Sequence, residues 1–473
     1  MSENPGRSDE VAKSVLRELG LVTIYHSPRD IKLLYLQRFV RLFAYGSSTL
    51  ILVSYLAALG IGEERAGLFM TLTLAGDVLI SFALTLFADR MGRRTVLALG
   101  SLLMTASGVV FGISGNYWVL LVAAIFGVIS PSGNEIGPFR AVEESAIAHL
   151  VEKEHLGDVY AWYALVGTGG TACGIMVSGW LFTFLNEDRG FSYIDTCRVL
   201  FYIYAGVGLI KFMLTLAPSR CIEREPLPEG LGQRERQPLL AEDGAERSEN
   251  APPKPKPKPK PKPPSVFTFS RHLQRLMLQL CLLFALDSFA SGLAPMSWVV
   301  YFIKKKFSVS EGTLGSIFFS TSIISAASTL CAVSIASRIG NVQTMVFTHL
   351  PSAICLSLIG VPSKLWLTLV FLVGRACTQS MDVAPRSAFL ASILPADSRT
   401  AAMGIINVVK TTAQSVGPAV TGLWASSGLF WISFVVAGRL KATYDVGMLI
   451  TFATRNKEEW EEEAEGHEGG GQY

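Results

Sequence analysis

The sequence predicts an all-α membrane protein with twelve transmembrane helices, arranged as two parallel, pseudo-symmetric six-helix bundles. Three observations predict it: a composition too apolar for a soluble chain, long apolar runs at regular intervals, and an internal repeat relating the two halves. Half of the 473 residues are hydrophobic and 17% are charged, against about a quarter charged in soluble domains. A net charge of only +3 gives no electrostatic reason to expect a nucleic-acid partner. A spanning helix needs about 20 mostly apolar residues. Such runs lie near 34–59, 67–88, 95–114, 117–138, 160–185, 197–217, 276–303, 313–336, 342–361, 365–385, 401–425 and 429–452.

The chain therefore divides into an N-terminal segment (1–30), a six-helix half (31–217), a linker (218–272), a second six-helix half (273–453) and an acidic tail (454–473). Basic residues concentrate in cytoplasmic loops. Arg90, Arg93, Arg94, Arg338, Arg399 and the basic linker thus place both termini in the cytoplasm, with Lys304, Lys305 and Lys306 as the exception. The polar N-terminus has no short apolar run ending in a cleavage site, so no cleaved signal peptide is expected. The outward loops contain no Asn-x-Ser/Thr, and no N-glycan is expected. The seven cysteines form no CxxC or metal-ligand spacing, which predicts free thiols, no metal and no cofactor.

The linker carries alternating Lys and Pro from Lys254 to Lys262. Such a stretch extends rather than packing into a core. It reads as a solvated spacer, or as a contact for anionic membrane lipid. Nearby, Glu235, Leu239 and Leu240 have the spacing of an acidic dileucine signal for a sorting adaptor. The plasma membrane is the favoured location, with a vacuolar or endosomal membrane as the alternative. The Glu-rich stretch at 458–463 reads as a solvated end.

Repeats are sought early because many carriers are built from them. An offset of 248 residues places Glu63 on Glu311, Gly67 on Gly315, Ala88 on Ala336, Arg90 on Arg338 and Gly92 on Gly340. An offset of 247 places Gly127 on Gly374, Glu135 on Asp382 and Pro138 on Pro385. Gly208 and Lys211 likewise match Gly438 and Lys441. The stretch from Thr85 to Arg94 contains Asp89-Arg90-Met91-Gly92-Arg93-Arg94. With the parallel repeat and the long central linker, it resembles the signature between the second and third helices of the major facilitator superfamily. Thr85 stands where that signature begins with Gly, and the copy around Arg338–Asn341 lacks the acid. Read from the residues, Gly92 permits a tight turn, the arginines anchor the inner face, and Asp89 suits a cation or a helix N-terminus. The resemblance implies alternating access and a gating role for Asp89, Arg90, Gly92, Arg93 and Arg94.

A charge near the bilayer centre costs at least ~2.5–3.5 kcal/mol, so each intramembrane ion is a candidate for binding substrate or a proton. These are Arg41, Asp77, Glu135, Arg140, Asp287, Arg375, Asp382, Arg386 and Lys410. The fourth and tenth spans each carry an acid, a Pro three residues on, and then an Arg. The resemblance implies that Glu135, Arg140, Asp382 and Arg386 face a central cavity as symmetric pairs. Lys441 and Asp445, four residues apart, share a helix face and read as a structural pair, with Lys211 also peripheral. His349 reads as isolated, and no enzyme motif is present.

No Walker-type loop occurs, which argues against direct ATP drive. Protons are the expected coupling ion, because a buried carboxylate can load and release them. The expected function is secondary transport of a small solute by a monomer. Export of a metabolite or drug, by antiport, is preferred. The alternatives are proton-coupled uptake of a small polar or anionic nutrient, and a non-transporting sensor. The Gly-Pro motif usual in the fifth span of exporters is absent there; its nearest match is Gly417-Pro418 in the eleventh.

Overall fold

The computed structural model describes residues 21–127, 129–132, 138–152, 155–217, 271–395 and 399–452. A short helix α1 (Leu21–His26) precedes the first span, α2 (Arg29–Ala58). The other five spans of the first half are α3 (Glu63–Met91), α4 (Arg93–Ile113), the split pair α5 (Tyr117–Phe126) and α6 (Pro138–Leu150), α7 (Leu156–Thr183) and α8 (Tyr193–Leu216). The second half begins with a split span, α9 (Arg271–Leu293) and α10 (Met296–Phe307). It continues through α11 (Glu311–Ile339), α12 (Asn341–Ile359), the split pair α13 (Leu365–Thr378) and α14 (Val383–Ile393), α15 (Arg399–Ser426) and α16 (Phe430–Phe452). The predicted linker, the acidic tail, the dileucine-like Glu235, Leu239 and Leu240, and Glu135 lie outside the described residues, as do the side chains of Asp89 and Arg90.

Among the described residues, six helices are long and apolar enough to cross a membrane by themselves. The fourth and tenth spans are split, the twelfth carries Arg439, Lys441 and Asp445, and the eleventh is rich in polar residues. Large apolar side chains such as Met213, Leu278, Phe347 and Ile450 point outward, as expected where hydrocarbon is the solvent.

Short turns make sequential spans antiparallel, so the spans' ends define two faces. The linker side holds the starts of α2, α4, α9 and α12 and the ends of α8 and α16. The far side holds the loops at 59–62, 189–192, 308–310 and 427–429. On the linker side, Gly92 and Gly340 occupy matching turns with φ of 83° and 88°, a region open to glycine and strained for other residues. The repeat thus marks the two positions where the chain reverses before its third and ninth spans. Each half is knotted at its far end by aromatic rings. Tyr55, Phe69, Phe111 and Phe201 pack together in the first. Trp298, Phe302, Phe430 and Phe434 do so in the second.

The halves meet along two seams where glycines let backbones touch. A Cβ on Gly67 would lie 2.5 Å from the Pro418 carbonyl oxygen and 2.9 Å from Gly422 Cα, and one on Gly179 would lie 2.4 Å from the Glu311 carbonyl oxygen. Small residues at such crossings are the usual means of close helix approach in lipid. Among the described residues, the hydrogen bonds and ion pairs joining the halves lie toward the far side. Tyr301 Oη donates to Glu63 at 3.1 Å, and Lys305 pairs with Glu63. Tyr193 Oη donates to Glu311 at 2.9 Å, and Lys304 pairs with Glu311 while lying 2.7 Å from Tyr193 Oη. The exceptional lysines of the topology argument therefore clasp the repeat-related glutamates. A cavity of ≈ 610 Å³ opens beside this clasp, lined in part by Tyr193, Tyr301, Lys304, Lys305 and Glu311.

Candidate substrate and proton site

Three spans lose helical continuity near mid-chain, and each break is stitched by polar side chains. Pro295 cannot donate a backbone hydrogen, and Thr421 Oγ1 donates to the Leu293 carbonyl at 2.6 Å. In the fourth span, Thr49 Oγ1 donates to the Ser130 carbonyl at 3.1 Å and Ser297 Oγ to the Pro131 carbonyl at 2.5 Å. In the tenth, Ser380 and Ser325 hydroxyls lie 2.6 Å apart, and Gln379 Nε2 donates to Ser325 Oγ at 3.4 Å. Non-helical backbone is tolerated at membrane depth only where protein or water satisfies it. The breaks therefore mark where polar chemistry is concentrated.

The second half gathers its charges around Asp287 on α9. Lys441 Nζ on α16 donates to its Oδ1 at 2.6 Å. Arg386 Nη1 on α14 lies 3.6 Å from Oδ2 and also pairs, through Nη2, with Asp382 at the start of its own helix. His349 on α12 places Nε2 4.0 Å from Asp287 Oδ1 and Nδ1 2.9 Å from Asp445 Oδ1. Lys410 Nζ, on α15, lies 5.5 Å from the centroid of the Phe284 ring. Phe284 also lies under Arg386, at 5.8 Å. No described carboxylate lies within ion-pair distance of Lys410. Arg375, on α13, is half-buried and likewise has no described ion pair.

The first half is organised differently. Arg41 on α2 makes two hydrogen bonds of 2.7 Å to the two oxygens of Glu143 on α6, and Tyr163 on α7 donates to the same carboxylate. Arg41 and Glu143 are fully buried. Arg38 lies over the Tyr163 ring at 3.9 Å, and Lys211 over the Phe139 ring at 4.9 Å. Arg41, anticipated as a substrate contact, is thus held in a buried bidentate pair. Asp77 is buried on α3.

Several expectations need correcting. Arg140 and Arg386 do not occupy equivalent environments: Arg140 is 52% exposed and pairs with Glu144 one turn on, while Arg386 is 17% exposed inside the Asp287 group. Setting Leu283-Phe284-Ala285-Leu286-Asp287 of the seventh span on Leu42-Phe43-Ala44-Tyr45-Gly46 of the first aligns Asp287 with Gly46. A Cβ at Gly46 would lie 2.2 Å from the Thr171 carbonyl oxygen, so the first half has backbone packing where the second has an acid. Lys441 and Asp445 are not each other's partners; each turns to another helix. His349 is not isolated. Arg93 and Arg94 brace the first half, at His149 Nε2 (2.6 Å) and the Leu216 carbonyl respectively. Glu143, Tyr163, His349 and Lys441 were missed as site residues, although a titratable side chain inside a span was itself the available signal.

Two parallel bundles with split helices and an intramembrane cluster of opposite charges define a solute carrier. Models of the Major Facilitator Superfamily match residues 34–296 and 280–468, and the chain belongs to that family. Its fold is that of secondary transporters. An uncharacterized membrane protein of Saccharomyces cerevisiae is 37% identical over 429 residues, spanning 90% of this chain and 94% of that protein. A D-xylose–proton symporter is similar at 14% identity with a TM-score of 0.65, covering 91% of this chain and 99% of its own. The human organic anion transporter MFSD10 is similar at 16% identity with a TM-score of 0.54, covering 89% and 99%.

Proposed function

We propose that this protein moves a small anionic solute across its membrane by alternating access, together with protons. The observation that carries the reading is Lys410, half-buried against Phe284, beside the Asp287 group and with no carboxylate of its own. A cation held in low dielectric with no carboxylate in direct ion-pair contact attracts an anion strongly. Arg375 and Arg386 add two further guanidinium groups on the tenth span. The similarity to an organic anion transporter and to a proton symporter supports the class of chemistry. The far-side clasp is engaged, so the site is read as presented to the linker side, taken to face the cytoplasm.

This chemistry favours uptake over the export preferred from sequence. An anion entering a negative-inside compartment works against about 2.3 kcal/mol per charge per 100 mV. A proton travelling with a monoanion cancels that term and adds the pH gradient. Counterflow in proteoliposomes with radiolabelled lactate, succinate, citrate and phosphate, alongside xylose and uridine as neutral controls, tests the proposal. Flux of at least one anion, reduced about tenfold by Lys410→Gln, is expected. Flux of neutral solutes alone would sink the anion reading, and wild-type accumulation with the pH gradient collapsed would remove the proton.

A further inference from the structure

We infer that His349 is the proton-carrying group, and that its protonation frees Arg386 for the anion. The inference rests on the proposed function and adds a residue outside the broken spans. The geometry has three parts.

First, the tautomer is fixed by the partners. Asp445 as a carboxylate can only accept, so His349 Nδ1 carries the hydrogen donated to it at 2.9 Å. Nε2 then holds a lone pair, 4.0 Å from Asp287 Oδ1. That is too far for a hydrogen bond and near enough for one to form after a small shift. The ring is buried and meets Tyr444 edge-on at 6.0 Å.

Second, the charges around the site are mixed. Arg386, Lys410 and Lys441 lie with Asp287, Asp382 and Asp445: α9 supplies Asp287, α14 Asp382 and Arg386, α15 Lys410, and α16 Lys441, Tyr444 and Asp445, while α13, which also packs on α12, adds Arg375. A proton on Nε2 adds one positive charge to this group, which a monoanion offsets.

Third, the carboxylate that would answer the imidazolium is the one that holds Arg386. Asp287 is shared between Lys441 at 2.6 Å and Arg386 at 3.6 Å. An Nε2–H drawing on Asp287 weakens the longer of the two contacts first. Arg386 then turns toward the solute while Asp382 keeps its other arm. The proton adds to Nε2 from water on one side and leaves Nε2 to water on the other, so proton and anion bind and depart together.

The test compares wild type with His349→Gln and His349→Arg in proteoliposomes, using radiolabelled lactate, succinate, citrate and phosphate as probes. Exchange at equal pH and accumulation driven by an imposed pH gradient are measured separately. His349→Arg, whose fixed charge stands in for the imidazolium, is expected to retain exchange that is now flat in pH and to lose gradient-driven accumulation by about tenfold or more, whereas His349→Gln, which cannot release Arg386, is expected to lose exchange and accumulation together. Wild-type accumulation and pH profile in either folded variant overturn the inference while leaving the transport reading intact. Loss of exchange in both folded variants also overturns it, because His349 would then be scaffolding. Should the Gln variant fail to fold, His349→Arg decides alone: wild-type accumulation and pH profile, or loss of exchange, overturns the inference. Absence of flux with all four probes in the wild type defeats the anion reading, and the inference with it.

Discussion

Glu143 sits between Arg41 and Tyr163 with its carboxylate fully out of solvent, and both arginine nitrogens facing it are satisfied by it. Removing one member of such a pair strands the other. Glu143→Gln is therefore expected to destabilise the protein by about 3–5 kcal/mol, seen as a lower melting temperature in detergent. Arg41→Met added to Glu143→Gln should recover part of the loss, because the stranded charge goes with it. Lys410 makes the opposite case. Its ammonium packs on an aromatic ring and has no ion-pair contact among the described residues, so Lys410→Gln should leave the melting temperature nearly unchanged while flux falls. Measuring both quantities on both variants separates a residue that holds the fold from one that meets the solute.

At the scale of helices, the seams depend on the absence of side chains. Gly67 on α3 and Gly422 on α15 approach so closely that a Cβ on either meets the other's backbone. Gly67→Leu is expected to push α3 from α15 and loosen the far-side closure. A cysteine placed at Ser297, buried between Thr49 and Pro131, should then react faster with an impermeant maleimide added from the far side; an unchanged rate would show that the seam tolerates the bulk. The seam was half legible in the sequence. The repeat aligned Gly67 with Gly315, and both lie where the halves touch. Their contacts, Gly422 and Gly179, carried no such mark. Span positions were readable because hydrocarbon imposes length and apolarity on every span. Charge pairing was not, because partners are chosen by packing between distant helices: Lys441 reaches Asp287, 154 positions away in sequence, rather than Asp445 one turn along. The repeat also implied matched surroundings for Arg140 and Arg386, and the Gly46–Asp287 difference broke that match.

For the molecule as a whole, the far-side clasp sets which way the carrier rests. Glu63 of the first half holds Lys305 and Tyr301 of the second, and Glu311 of the second holds Tyr193 of the first. Each glutamate thus ties its own half to the other, and the repeat places them at equivalent positions. Glu63→Gln or Glu311→Gln is expected to shift the population toward the far-open state, and the double variant further than either. Spin-label distances between the loops at 189–192 and 427–429 would report it, and an unchanged distribution in the double variant would show the aromatic knots alone hold the gate. Such a variant should also slow accumulation, since return of the unloaded carrier is then biased.

The Lys305–Glu63 pair stands at the water's edge, with half of the lysine side chain exposed. Mobile ions screen exposed charges over roughly 8 Å at physiological strength and about 3 Å at 1 M. The buried Asp287 group is shielded from them. Brine on one face of the membrane would therefore slacken the gate while leaving the carrier's grip on its cargo intact, so the protein should sense the salinity of the compartment it opens to.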